Sequence, residues 1–334
     1  MDEVVWFRYG THRGTSYMDV LGIDVSKDDF HACLIQGSGR TRKSFPNGMA
    51  GYKQVLAWIK NRRCSEYHAC MEATGAYWLG LASALYESGA IVSVVNPSQT
   101  AMFARSQLRR TKTDRVDAEM MAEFCQTQQP SPWSPPAPEV LELRGLLNYR
   151  DQLVGEQIRL KQMVKQVHVG KDLRKVHAKQ IKSVQSALTS IEAALRKLLK
   201  THDSLQNQVD RLTSIQGIGF VTAVSIVAKL PMERLRDGKA AAAYIGVTPR
   251  ERQSETSVHG KPHICKTGNA GLRRDLYMPA MVAIRFNPIL REFAQRLQER
   301  GKPAKVIIVA VMRKLIVLAF STLKRAQPAL PAAL

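Results

Sequence analysis

Cysteine is scarce in this chain: five residues among 334, Cys33, Cys64, Cys70, Cys125 and Cys265, an odd number with no regular spacing. That usage argues against a disulfide-stapled secreted framework and points to reduced thiols in a cytoplasmic compartment. His259, His263 and Cys265 lie close in sequence, but no fourth ligand or recognisable knuckle accompanies them, so structural zinc is not expected. No signal peptide is evident, because Met1–Asp19 is polar and mixed. Long uninterrupted apolar runs are missing too. The most apolar stretch, Val306–Leu323, is broken by Arg313 and Lys314 and reads as a buried helix rather than a membrane span, so no membrane partner is expected.

Acidic residues are outnumbered, 28 against 49 Lys and Arg, for a formal charge of +21. The excess is uneven. Residues 1–128 hold 15 Lys and Arg against 13 Asp and Glu, whereas residues 129–334 hold 34 against 15. A near-neutral head on a strongly basic body suits a polyanionic partner, since neutralised phosphates release counterions. A basic surface that serves only solubility is the plainer alternative.

Hydrophobic residues make up 45% of the chain, enough for real cores, and the length exceeds the usual single domain of ~100–200 residues. Leu21–Val25, Phe30–Ile35 and Thr41–Phe45 read as a three-stranded meander. Asn47 is placed to cap a helix carrying Tyr52, Val55, Leu56 and Ile59. Strands follow at Tyr67–Met71 and Ile91–Val95, with a helix over Tyr77–Glu87 between them and another opened by Asn96–Pro97. The order βββαβαβα predicts an α/β layer covered on both faces.

Prolines at 130, 132, 135, 136 and 138 mark a stiff junction, and none occurs from Glu139 to Leu230. Two apolar stripes fill that span, Val140, Leu143, Leu147, Val154, Ile158 and Val164, then Ile181, Val184, Leu188, Ile191, Leu195 and Leu198. They predict two long helices, antiparallel or projecting as a coiled-coil arm. Gly217 and Gly219 between apolar helices suggest a helix-hairpin-helix whose amides hold a phosphate, or a glycine turn that only permits close packing. A long polar loop, Arg250–Lys266, follows. The expected divisions are a 1–20 extension, a 21–129 α/β domain, a 130–138 linker, a 139–213 helical coiled-coil region, a mainly helical 214–325 domain and a 326–334 tail.

Four carboxylates stand out. Asp24 and Glu72 end apolar strands, where ligands of α/β sheets gather. Asp114 and Asp117 are three apart on one helix face, a repulsive spacing that a cation relieves. Together they suit a divalent-metal phosphodiester site. Lys112, Arg109, Arg110 and Arg115 surround the pair and could position phosphate or simply neutralise it. Asp24 capping a turn is the bland reading.

The runs GIDVSKDDF, MEATGAYW and KTDRVDAEMMAEF, followed by QGIGFVTAVSIVAKL, YIGVTPRERQSETSVHGK, KTGNAGLRRDLYMPAMVAIRFNP and GKPAKVIIVAVMRKL, resemble in their order the IS110/IS1111 family of insertion-sequence transposases, over about Leu21–Lys324. The resemblance implies a RuvC or ribonuclease H-like first domain whose Asp24, Glu72, Asp114 and Asp117 bind Mg²⁺, with Mn²⁺ as a substitute. It also implies a second domain in which Ser254, within Gln253–Ser254–Glu255, is the nucleophile of a phosphoserine mechanism. Glu255 departs from the glycine usual there. Donor and target DNA, an element-encoded structured RNA and a homo-oligomer, dimer to tetramer, are the implied partners, acting in the prokaryotic cytoplasm at the nucleoid. Candidate nucleic-acid contacts are Lys112, Arg115, Lys171, Arg174, Lys175, Lys179, Lys182, Gly217, Gly219, Lys261, Lys266, Arg273 and Arg274. The competing functions are a metal-dependent, junction resolvase-like endonuclease and a noncatalytic nucleic-acid binder.

Overall fold

A computed structural model describes residues 18–73, 75, 77–107, 114–166, 170–250, 253–254, 258–259 and 263–325. The chain divides into two compact units, Met1–Pro135 and Pro136–Leu334.

The first unit is the expected mixed α/β layer. Strands β1 (Asp19–Val25), β2 (Asp29–Gln36) and β3 (Gly39–Pro46) form an antiparallel meander, and β4 (Tyr67–Glu72) and β5 (Ile91–Val95) extend it in parallel. The sheet order is β3-β2-β1-β4-β5. Helices α1 (Met49–Asn61), α2 (Leu79–Glu87), α3 (Pro97–Ser106) and α4 (Asp114–Gln128) complete the unit. Period-two alternation sorts the side chains. Leu21, Ile23, Ala69, Met71 and Val92 share a core with Val55, Ile59, Leu81 and Leu85 from α1 and α2. Val20, Cys33, Cys70 and Val95 pack with Ala118, Met121, Ala122 and Cys125 of α4 on the other face.

Local chemistry sets some helix ends. Asn96 closes a reciprocal capping box with Gln99, and Pro97 opens α3. Asn47 does not cap α1; Gly48 holds that position without a side-chain bond. The Asn47 amide instead donates to Ser26 O at 2.7 Å and Tyr77 O at 3.3 Å, tying two distant turns together. The proline-rich stretch is packed along part of its length. Trp133 is buried, its backbone N–H donates to Val92 O at 2.6 Å, and its ring meets Trp78 edge-on.

In the second unit, α5 (Pro138–Gln166) and α6 (Lys171–Lys200) form an antiparallel pair, joined across by Arg150 with Glu192 at 3.0 Å and Gln157 with Gln185 at 2.5 Å. Leu143, Leu147, Leu195 and Leu199 root the pair in the main core, and Leu153, Val184 and Leu188 continue the seam. The seam drifts from the sequence stripe: Leu153 is buried, whereas Ile158 is half exposed at 50%. Helices α7 (Asp203–Thr213), α8 (Phe220–Lys229), α9 (Gly238–Tyr244), α10 (Ala270–Asp275), α11 (Tyr277–Phe286), α12 (Pro288–Glu299) and α13 (Ala304–Lys324) make up the rest. Among the described residues α13 is the one helix long and apolar enough to cross a membrane. It is the spine of this core instead, burying Val311, Met312, Leu315, Ile316, Ala319 and Phe320.

The stretch read as a long polar loop carries two nested ladders. Strand β6 (Pro249–Arg250) pairs with β9 (His263–Ile264), and β7 (Gln253–Ser254) pairs with β8 (Val258–His259). Cross-strand pairing gives these polar backbone groups their partners.

Candidate functional site

Asp24 and Glu72 occupy neighbouring strand ends on one face. In the parallel register Ile23 faces Met71, so Asp24 and Glu72 are the next step on strands about 4.8 Å apart. Ile23 and Met71 point into the α1/α2 core, so Asp24 and Glu72 point to the opposite face, the one covered by α4. Helix α4 runs against the strand direction: Cys125 Sγ lies 3.8 Å from His68 O, and Met121 Sδ lies 3.8 Å from Cys70 Sγ. Continuing that trend brings the amino-terminal turn of α4, with Asp114 and Asp117, towards the strand ends. Asp24, Glu72 and Asp117 are each half-buried. Among the described residues, no three acidic, histidine or cysteine side chains are grouped to enclose a cation. The Asp114 side chain lies outside the described residues. The donor chemistry, carboxylate oxygen throughout, fits a hard divalent cation rather than a soft one.

Three neighbours of this face were not singled out from the sequence. Thr100 on α3 is buried, with Oγ1 2.8 Å from Glu72 Oε2 and 2.9 Å from Pro97 O, so its single proton serves one acceptor at a time. His31 stands across the ladder from Asp24 on the same face. Gly22 lets α4 approach closely: a methyl group there would lie 2.6 Å from Ala122 Cα. A glycine inside a strand pattern is the sequence hint of such an approach.

The remaining acids of α4 are engaged elsewhere. Glu119 pairs with Arg40 and Arg42, and Glu123 with Arg40 at 2.8 Å. Burial alone would raise the Glu119 carboxyl, but hydrogen bonds and charge from the two arginines outweigh it and hold the group below its ordinary range.

In the second unit the backbone of Ser254 is paired with Val258 on the inner ladder. Its side chain and that of Arg115 are not described, and Lys112, Lys261 and Glu255 lie outside the described residues. Lys171, Arg174, Lys175, Lys179 and Lys182 are all exposed along the first half of α6. Gly217 has φ +108°, and a methyl group there would meet Ala283 Cβ at 2.7 Å, so this glycine permits α11 to pack against the turn. Gly219 is the N-cap of α8 with open space beside it. Lys266 is exposed in a left-handed conformation, φ 55°. Arg273 turns inwards, donating from Nη1 to Ile245 O at 2.9 Å and Lys266 O at 3.1 Å, which fastens the base of the ladder region. Arg274 pairs with Asp151 and, at 3.0 Å, with Asp275.

Residues 21–169 match the IS110 DEDD transposase family, and residues 209–295 match the transposase family IS116/IS110/IS902. The pilin gene-inverting protein of Moraxella bovis is 30% identical over 317 residues, covering 92% of this chain and 96% of that protein. The transposase of insertion element IS1111A from Coxiella burnetii is 22% identical over 307 residues, covering 82% and 80%. Among solved structures, T. thermophilus RuvC in complex with a Holliday junction substrate aligns with 35% of this chain and 99% of its own, at 13% identity and a TM-score of 0.28. Two transposase matches in chain order and a relative aligned nearly end to end make this chain a member of the IS110 family of transposases.

Proposed function

We propose that this transposase exchanges DNA strands through a phosphoserine link on Ser254, aided by Mg²⁺ or Mn²⁺ held by Asp24, Glu72, Asp114 and Asp117. The bound cation would offset phosphorane charge and favour the serine alkoxide. Ser254 Oγ forms the new bond to phosphorus, and the bond from phosphorus to O3′ breaks. The serine proton is lost as the 3′-oxygen gains one. Attack by the 3′-hydroxyl of the partner strand then rejoins DNA and frees the serine, so bond number is conserved without water or ATP. The observation carrying this reading is the shared face of Asp24 and Glu72 at adjacent strand ends, under the helix that bears Asp117.

The partners are donor and target DNA and an element-encoded structured RNA, acted on by a homo-oligomer. The charge of residues 129–334 and the exposed cations of α6 support a role in holding nucleic-acid backbones. A relative named for inverting a pilin gene accords with strand exchange as the common chemistry, inversion and insertion differing in how the exchanging sites are disposed.

The test incubates protein and RNA with labelled donor and target DNA. A protein–DNA adduct and joined product are expected from the wild type and absent in Ser254→Ala, while Asp24→Asn retains binding and loses exchange. An undiminished adduct in Ser254→Ala refutes the serine role. Cleaved ends without an adduct identify a metal-dependent nuclease, and binding without cleavage or joining identifies a noncatalytic binder.

A further inference from the structure

On α5, Arg144, Asn148 and Asp151 recur at helical spacing along a cavity of about 430 Å³ within the second unit. Lys229 from the end of α8, with Tyr244, Asn269 and Arg274, supplies the rest of its polar wall. Two of the cations are already partnered. Lys229 Nζ lies 3.0 Å from Asp275 Oδ2 and 3.7 Å from Asp151 Oδ2, and Arg274 binds both carboxylates. Ser225 Oγ donates to Asp275 Oδ2 at 2.5 Å, so the network is braced from the core side.

Arg144 differs. Its Nε donates to Ala228 O at 2.6 Å, and among the described residues no carboxylate pairs with it. It is half-buried, and burial pushes the guanidinium below its usual value. A desolvated cation beside a polar cavity carries an unmet electrostatic cost, which a bound anion removes. The neutral amides add donors: Asn269 Oδ1 already accepts from Leu272 N at 2.9 Å, leaving its NH₂ group, and Asn148 is exposed at the mouth. Three cations, Arg144, Lys229 and Arg274, face two carboxylates, Asp151 and Asp275. The local excess is a single positive charge, the complement of one phosphodiester.

We propose that this cavity seats one backbone phosphate of a bound nucleic acid, with Arg144 as the principal cationic donor and Lys229 and the two amides completing the cradle. The proposal rests on the reading of this chain as a nucleic-acid-handling recombinase and adds a contact outside the phosphoryl-transfer site. Asp151 restricts the occupant: a second phosphate charge would be repelled there, which favours a diester within a strand over a terminal monoester. DNA and RNA share that diester, and separate assay arms assign the source.

Binding of fluorescein-labelled mixed-sequence duplex DNA, and in parallel of single-stranded RNA, is measured by anisotropy across a salt series. Arg144→Gln is expected to weaken binding irrespective of sequence and to reduce the slope of log K against log salt by about 0.9 for duplex or about 0.7 for a single strand, the loss of one phosphate contact. Asn148→Asp, an exposed change that brings a negative charge to the mouth, is expected to reduce the slope without disturbing the core. Arg144→Lys restores the slope, and Asn148→Ala leaves it unchanged. A reduced slope in one arm alone assigns the phosphate to that polymer. If wild-type protein binds with the usual salt dependence but Arg144→Gln and Asn148→Asp keep its slope in both arms, the cavity assignment is overturned and the recombinase reading stands. Wild-type protein that binds neither polymer overturns both.

Discussion

Gly22 sits two residues before Asp24 on β1, on the face that α4 covers, so a single methyl group there tests whether helix docking sets the carboxylate array. The added carbon would lie 2.6 Å from Ala122 Cα and closer still to Ala122 N and Ala118 O. Carbon atoms settle at about 3.5–4.0 Å, so α4 must retreat by about 1 Å. The obstructing atoms are backbone, and no rotamer change can absorb the overlap. Overpacking of this kind costs about 1–3 kcal/mol. The same retreat carries Asp117 away from the ends of β1 and β4, and a misplacement of about 1 Å costs on the order of 10²-fold in rate. Gly22→Ala is therefore expected to fold with a lowered melting temperature, to bind DNA and RNA as the wild type does, and to exchange strands about 10²-fold more slowly. Its Mg²⁺ requirement should also rise, which a purely global loss of stability would not produce. Gly48→Ala is the control, because its methyl group meets nothing within 4 Å and its backbone is extended. Wild-type exchange by Gly22→Ala at limiting Mg²⁺, or an equal loss in Gly48→Ala, would refute the reasoning.

Two further outcomes follow from the second unit. Gly145 and Gly155 lie within α5 with no atom near a prospective methyl group, so alanine at each should stabilise that helix by about 0.8–1.0 kcal/mol; an unaltered or lowered urea midpoint contradicts the α5 assignment. At Asp275 burial alone would raise the carboxyl, but the Ser225 hydrogen bond, Lys229 and Arg274 together hold it below its ordinary 3.8. A depressed carboxylate stabilises the fold above that reference and ceases to do so as pH falls through the lower folded value. Urea unfolding should therefore show a steady stability gap between wild type and Asp275→Asn at neutral pH that narrows below about pH 3.8. A gap that widens with acid would reverse the sign and exclude the assignment.

The α/β head was legible because its signals are local. Short apolar strands carry Asp24 and Glu72 at their carboxyl ends, and Asn96–Pro97 carries its own cap and first turn. Asn47 misled because its amide is recruited by Ser26 and Tyr77, partners set by tertiary packing rather than by neighbours in the chain. The seam of α5 drifted for a different reason: a stripe drawn through Val154 and Ile158 accumulates phase error along a straight 3.6-residue helix, and Leu153 takes the buried place. The ladders around Ser254 were hidden because two-residue strands offer no alternation to read. Of the cavity's cations the sequence singled out Arg274 but not Arg144 or Lys229, since three elements far apart in sequence contribute to one cavity.

Charge along α4 shows which of its acids are committed to the sheet and which are the candidates for the proposed cation. The helix carries Asp114, Asp117, Glu119 and Glu123 within ten residues, a density that would be self-repelling if left uncompensated. The meander answers two of the four. Arg40 and Arg42 project from the edge strand β3 and engage Glu119 and Glu123, and those same charged side chains guard the open edge against pairing with another chain. Compensation supplied by β3 is thereby spent on the later acids. Asp114 and Asp117 lie towards the ends of β1 and β4, where the nearest contributions from the sheet are Asp24 and Glu72, of the same sign. The fold thus pairs the later acids of the helix with β3 and brings carboxylates from two strands and one helix towards one edge. In the proposed reading a divalent ion binds among those carboxylates, displacing or joining the partners they already have.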